Sequence, residues 1–207
     1  PKSGTKGILS TYTNLLVPSS SAHSYNDSKK KGIAYTPLFC DILDVLHLGM
    51  SVRNPVILEG PPGQGKHTAI EYIANMMNVE VIYITISQST KVDDLLGKLK
   101  IDRREDGIHV QMVKSRLAET ISLSSDIVGM PIIVIENINN ATPAVLNVLF
   151  SIFNIEIKSI LLPSGETMQK GKFYLFGIFN TQQTATTRDK LPSSLINSVI
   201  YYVVKNI

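Results

Sequence analysis

Residues 59–68 read EGPPGQGKHT, from Glu59 to Thr68. Gly60, Gly65 and Lys66 satisfy GxxxxGK[ST], the pattern of a phosphate-binding loop, up to its final position. There the pattern asks for a hydroxyl that holds magnesium. This chain has His67, and the hydroxyl follows one residue late as Thr68. A loop of this kind works through its backbone: glycines let the chain wrap so that successive N–H groups point at phosphate oxygens. The helix that follows aims its positive N-terminus at the same anion, and Lys66 adds a point charge. None of this needs the hydroxyl. Gly60, Pro61, Pro62, Gly63, Gln64, Gly65, Lys66, His67 and Thr68 are therefore the candidate nucleotide-binding residues. The alternative is a plain Gly/Pro turn between strand and helix, which leaves the full spacing of Gly60, Gly63, Gly65 and Lys66 unexplained. Magnesium prefers hard oxygen ligands in a strict octahedron, so imidazole is a poor replacement. Thr68 lies ~100° further round the helix and is expected to point away from the metal. His67 reads as a tolerated surface residue of the helix, with no chemistry of its own.

Outward from the loop, NPVILEG is a short buried strand entering it and HTAIEYIANMMN the helix leaving it. Upstream, TPLFCDILDVLHLGMSV opens with Thr36 as N-cap and Pro37 at the first helical position. Leu38, Ile42, Val45 and Leu46 then recur at helical spacing. Downstream, VEVIYITI is a second strand and TKVDDLLGKL a short helix with Thr90 as its cap. KLKIDRREDGIHVQMV reads as a hairpin turning near Asp106-Gly107, and KSRLAETISLSS as a helix. MPIIVIEN is a continuous apolar strand of the kind at the centre of a parallel sheet. TPAVLNVLFSIFN is a helix starting at Thr142-Pro143, and EIKSILLPSGETMQ a second hairpin turning at PSGE. KFYLFGIFN is the last strong strand, PSSLINSV a helical turn and IYYVVKN a closing strand.

Strands alternating with helices predict an α/β fold with a mostly parallel sheet. Ligands of such sheets bind beyond the carboxyl ends of the strands. The phosphate loop, Glu136 and Asn180 all fall there. Residues 1–34, with the polar stretch SSSAHSYNDSKKKG, read as an extension or linker, and 35–207 as the α/β unit.

Composition is that of a soluble globular chain: 207 residues, 43% hydrophobic and 18% charged. The net charge of +3 gives no signal for nucleic acid or a membrane surface. No run reaches the ~18 apolar residues of a membrane span. Cys40 is the only cysteine and sits in an apolar run, which predicts a buried structural thiol and an intracellular, reducing compartment. The opening PKSGTKG is no secretory signal, and the chain reads as a piece of something longer.

A hydrolytic site would end the strand PIIVIENIN with a metal-side carboxylate and then a general base, as Asp-Glu. Here the pair is Glu136 and Asn137. Glu136 keeps the charge on a longer arm, which leaves it a weak magnesium ligand. Asn137 cannot accept a proton from an attacking water, and such help contributes ~10²–10⁴-fold. Weak turnover is expected.

This succession of motifs resembles the AAA+ ATPases, and within them the dynein-related, midasin-like branch, close to MoxR-type ATPases. The likeness runs from about Thr36 to Val204. NPVILEGPPGQGKHT is similar to the Walker A strand and loop, and STKVDDLLG to the segment after the second strand. PIIVIENINNATPAVLNVLFSIFN resembles the Walker B strand and its helix. ILLPSGETMQKGKFYLFGIFNTQ resembles a hairpin and sensor-1 strand, with Asn180 at the sensor-1 position. LPSSLINSVIYYVV resembles the segment that ends in an arginine-finger box, but Ile196 and Ser198 flank Asn197 without an arginine. Arg188 and the arginines of KIDRRED read as solvated loop residues. The resemblance implies a P-loop three-layer sandwich with two hairpin insertions, the large subdomain alone without its helical lid. It implies ATP or ADP as ligand, magnesium weakened, and Glu136, Asn137 and Asn180 as degenerate catalytic positions. It also implies neighbouring AAA+ domains in a ring, of the same chain, pre-ribosomal particles as partners and a nuclear or nucleolar setting, or a cytoplasmic one outside the midasin-like branch. A competent ATPase and a scaffold without nucleotide are the alternatives.

Overall fold

The first long helix shows how local signals set the frame. Helix α1 (Pro37–Val52) is capped by Thr36, whose hydroxyl accepts the Phe39 N–H at 3.1 Å, and Pro37 opens it. It stops at Arg53, which takes a left-handed conformation (φ 54°). The buried face is Phe39, Ile42, Leu46, Gly49 and Met50. Leu38 and Val45 flank that face, only partly buried. The computed structural model describes residues 36–104, 107–123, 129–181 and 191–204. The expected N-terminal extension, Asp106 and Arg188 lie outside these.

Five strands form one parallel sheet: β1 (Val56–Gly60), β2 (Val81–Thr85), β5 (Ile132–Glu136), β8 (Tyr174–Asn180) and β9 (Ile200–Val203). Their order is β2-β5-β8-β1-β9. Helix α2 (Lys66–Met77) follows β1. Between β2 and β5 come α3 (Val92–Leu96), the antiparallel hairpin β3 (Gly97–Arg104) and β4 (Gly107–Lys114), and α4 (Arg116–Leu123). A 3₁₀ turn (Ile138–Asn140) and α5 (Pro143–Phe153) follow β5. The short hairpin β6 (Ser159–Leu161) and β7 (Thr167–Gln169) leads into β8, and α6 (Ser193–Ile196) precedes β9.

Strand side chains alternate between two cores, as the period of two demands. Val56, Leu58, Ile132, Val134, Phe176 and Ile178 pack against α1 and α2. Ile57, Ile133, Ile135, Leu175 and Phe179 pack against α4, α5 and the 3₁₀ turn. The result is the three-layer α/β sandwich expected from the sequence, with both hairpins outside the main sheet. The second hairpin turns at Gly165, whose N–H reaches Leu162 O at 2.9 Å. It buries Ile160 and Met168. The first hairpin instead leaves Leu99, Ile101, Ile108 and Val110 exposed.

Two local expectations need correction. The N-cap of α3 is Lys91, not Thr90: the Asp94 carboxylate reaches back to the Lys91 N–H at 2.8 Å. The Thr90 hydroxyl is spent instead on the Ser87 N–H at 2.9 Å. Cys40 is only partly buried. Burial and the nearby Asp44 and Asp41 push its thiol pKa up, which leaves it a poor nucleophile all the same.

Gly177 sits mid-sheet where three side chains converge. A Cβ there would lie 2.6 Å from Ile138 Cδ1, 2.9 Å from Ile57 Cγ1 and 3.2 Å from Phe153 Cζ. Gly177→Ala is therefore expected to destabilise the fold by about 1–3 kcal/mol through overpacking. A lowered denaturant midpoint at unchanged m-value would show it.

Candidate nucleotide site

Register brings the polar ends of the sheet together. Gly60 pairs with Asn180, Glu136 with Ile178, and Thr85 with Glu136. The phosphate-loop strand and the acidic strand are thus separated by one strand, β8, which carries Asn180 at its end.

Gly65 is the N-cap of α2 at φ 77°, and Gly63 stands at φ 83°. Both need the left-handed region that a side chain disfavours. Around Gly63 the demand is conformational only, because a Cβ there would meet nothing within 4 Å. No side chain caps the start of α2, an arrangement suited to an anion at its N-terminus. Lys66 is the one buried charged residue among those described, 3% exposed. Its Nζ donates to Gly60 O at 2.8 Å and Pro61 O at 2.7 Å. Burial lowers its pKa, and the two carbonyls hold the ammonium at the centre of the loop.

His67 does not stand free on the helix surface, as the sequence suggested. Its Nε2 meets Glu136 Oε1 in a short contact. Its ring stacks on Tyr83, with centroids 6.1 Å apart and planes at 27°. Thr85 Oγ1 donates to the second Glu136 oxygen, Oε2, at 2.7 Å. Both carboxylate oxygens are therefore engaged by protein groups. Thr68, one position on, is exposed.

Asn137 takes a left-handed conformation (φ 55°), which asparagine tolerates better than most residues. Its Oδ1 accepts from Asn180 Nδ2 at 2.7 Å. Together with Pro61, Pro62, Asn139, Asn140 and Thr181 they line an open cleft of about 620 Å³ beside the loop. The residues singled out in three separate motifs thus form two touching pairs, His67 with Glu136 and Asn137 with Asn180. At the far end of the expected finger segment, Ile196 packs against the core, Asn197 ends α6, and Ser198 Oγ donates to Leu195 O at 2.8 Å.

Sequence reading missed Tyr83, Thr85 and Tyr201. Tyr201 donates to Glu59 Oε2 in a short hydrogen bond, tying β9 to the strand that enters the loop. Burial and Glu59 raise its pKa. Thr85 had one available signal, its place at the polar end of a buried strand next to the strand carrying Glu136.

The model of the AAA domain (dynein-related subfamily) matches residues 55–197. That span takes in the loop, Glu136–Asn137 and Asn180. The chain belongs to the dynein-related AAA family. Two relatives are both called midasin. One from Giardia intestinalis is 28% identical over 151 residues, 70% of this chain. One from Dictyostelium discoideum is 25% identical over 67 residues, 32% of this chain. This chain spans 3% and 1% of their lengths. A crystal structure from Cytophaga hutchinsonii ATCC 33406, described as a candidate ATPase, superposes with a TM-score of 0.51 at 16% identity. It covers 86% of this chain and 55% of its own, a likeness of fold. Membership of the dynein-related AAA family makes a nucleotide the expected occupant of the Gly60–Lys66 cradle. Among the described residues, no helix is long and apolar enough to cross a membrane.

Proposed function

We propose that residues 35–207 are the large α/β subdomain of an AAA+ module that binds ATP or ADP and hydrolyses it weakly or not at all. The observation that carries this reading is the His67–Glu136 contact beside an intact cradle. The cradle supplies what phosphate needs: positive-φ glycines, an open helix N-terminus and the central Lys66. The metal side does not fit magnesium well. An imidazole stands where a hydroxyl ligand belongs, and Glu136 spends both oxygens on His67 and Thr85. Magnesium demands hard oxygens in a near-ideal octahedron. Beside it, Asn137 offers an amide where an attacking water needs a proton acceptor.

The wider setting rests on the midasin likeness. The small share of each relative that this chain spans supports a module within a longer chain, with neighbouring AAA+ modules closing a ring. In that setting the module holds nucleotide while neighbours drive the work. Remodelling of pre-ribosomal particles in the nucleus is the activity proposed for the whole machine.

Titration of the chain with a fluorescent ATP analogue, in Mg²⁺ and again in EDTA, tests the reading. Saturable binding that changes little between the two is expected. Absence of saturable binding in both would turn the module into a scaffold. Steep dependence on Mg²⁺ would restore it as an ordinary metal-using site.

A further inference from the structure

The misfit of magnesium has a positive side, because the residues that disfavour it are themselves a ligand set for a different ion. Building on the nucleotide reading, we infer that this site takes a late first-row divalent cation of the Co²⁺, Ni²⁺ or Zn²⁺ class together with its nucleotide. His67 Nε2 and Glu136 Oε1 are the two protein ligands, the cation replacing the proton they share, which leaves to solvent.

Three features of the pair support this. The donor atoms are already brought together, bonded to each other, from the first turn of α2 and from the C-terminal end of β5. Each donor is held by a second residue: the imidazole lies against the Tyr83 ring, and the carboxylate's other oxygen accepts from Thr85. Orientation of this kind by outer groups is what metal ligands require, and losing it typically costs ~10–100-fold in metal affinity. The pair is also reachable, since the His67 side chain is 49% exposed while Glu136 is 18% exposed.

The chemistry selects the ion. Imidazole nitrogen suits zinc, nickel, cobalt and copper, whereas carboxylate, carbonyl and water suit magnesium and calcium. One nitrogen and one carboxylate oxygen favour a borderline ion, whose four-coordinate sites can leave a position to a non-protein ligand. Among the described residues no three His, Cys, Asp or Glu side chains come together. The protein alone therefore makes an incomplete site, and outer phosphate oxygens of the nucleotide, held by Lys66 and the loop, complete it. The metal and the nucleotide depend on each other. A single substitution, hydroxyl to imidazole at position 67, thereby changes which metal accompanies the phosphate.

The test uses the tag-free 207-residue chain and two probes, a fluorescent ADP analogue and Co²⁺. Affinity for the analogue is measured in EDTA, Mg²⁺ and Co²⁺, and the visible absorption of Co²⁺ is recorded with and without ADP. The expected result is affinity about ten-fold or more tighter in Co²⁺ than in Mg²⁺, with an intensified Co²⁺ band only when ADP is present. His67→Thr is expected to reverse the metal order and abolish the band. Glu136→Gln, which keeps the shape, is expected to weaken the band as well. Nucleotide binding that is indifferent to the choice between Co²⁺ and Mg²⁺ overturns this inference and leaves the nucleotide site standing. So does a Co²⁺ band that survives His67→Thr. Absence of nucleotide binding under every metal condition overturns both.

Discussion

The combined variant His67→Thr, Glu136→Asp, Asn137→Glu is expected to hydrolyse ATP about 10²–10⁴-fold faster than the parent, the contribution usual for general-base assistance. The three changes act on one corner of the site. His67→Thr returns a hard oxygen ligand and releases Glu136 from its imidazole partner. The shorter aspartate leaves room for a metal-bound water. A glutamate at 137 gives the attacking water a proton acceptor, and it keeps an oxygen within reach of the Asn180 amide that Asn137 now satisfies. The backbone opposes part of this gain, because position 137 stands at φ 55°. A left-handed conformation costs a residue with a Cβ roughly 1–2 kcal/mol. Phosphate release, compared at equal nucleotide occupancy, measures the outcome. Equal rates for parent and variant would mean that these positions do not limit turnover.

Lys66→Ala is expected to weaken nucleotide binding about 10–100-fold, the equivalent of one charge-assisted hydrogen bond of ~1.5–3 kcal/mol. The ammonium is buried inside the loop it serves. Its removal takes away the phosphate's nearest positive charge and the donor to Gly60 O and Pro61 O. The loop then loses both ligand contact and internal support. Equilibrium titration reads the affinity, and a melting curve of the same sample separates weakened binding from unfolding. Undiminished affinity in a folded Lys66→Ala protein would place the nucleotide elsewhere.

Most of the fold was legible because its signals are local. Thr36-Pro37 and Thr142-Pro143 announce helices through a hydroxyl cap and a preset φ, and both caps are formed. The apolar runs VILEG, IIVIE and YLFGIFN are the three central strands. Gly165 marks its hairpin through its need for positive φ. The strand order was not local information. The strand at 174–180 enters the sheet between those at 56–60 and 132–136, and no pattern within any one segment states this. The cap of α3 was misjudged because the Thr90 hydroxyl turns back to the Ser87 N–H while Asp94 takes the Lys91 N–H, a choice that only geometry reveals.

The site was legible in its parts and not in its contacts. Gly60 to Lys66 could be read because a phosphate cradle is a local backbone shape. The His67–Glu136 pair joins residues 69 apart in sequence, and Asn137–Asn180 joins residues 43 apart. Each was singled out as a departure from its own motif. That the departures touch follows from helix α2 starting, and strand β5 ending, at the same sheet edge. Tyr83 and Thr85 escaped notice because a tyrosine and a threonine in a strand are ordinary β formers.

The site is proposed to hold phosphate and cut it slowly. A single-turnover experiment tests it most directly: excess protein is mixed with trace radiolabelled ATP in Mg²⁺, and the bound label is followed to ADP. With the general-base contribution of ~10²–10⁴ removed from a typical turnover of ~10 s⁻¹, the predicted conversion is at or below ~0.1 s⁻¹. Conversion of bound ATP near ~10 s⁻¹, abolished by Lys66→Ala, would contradict it.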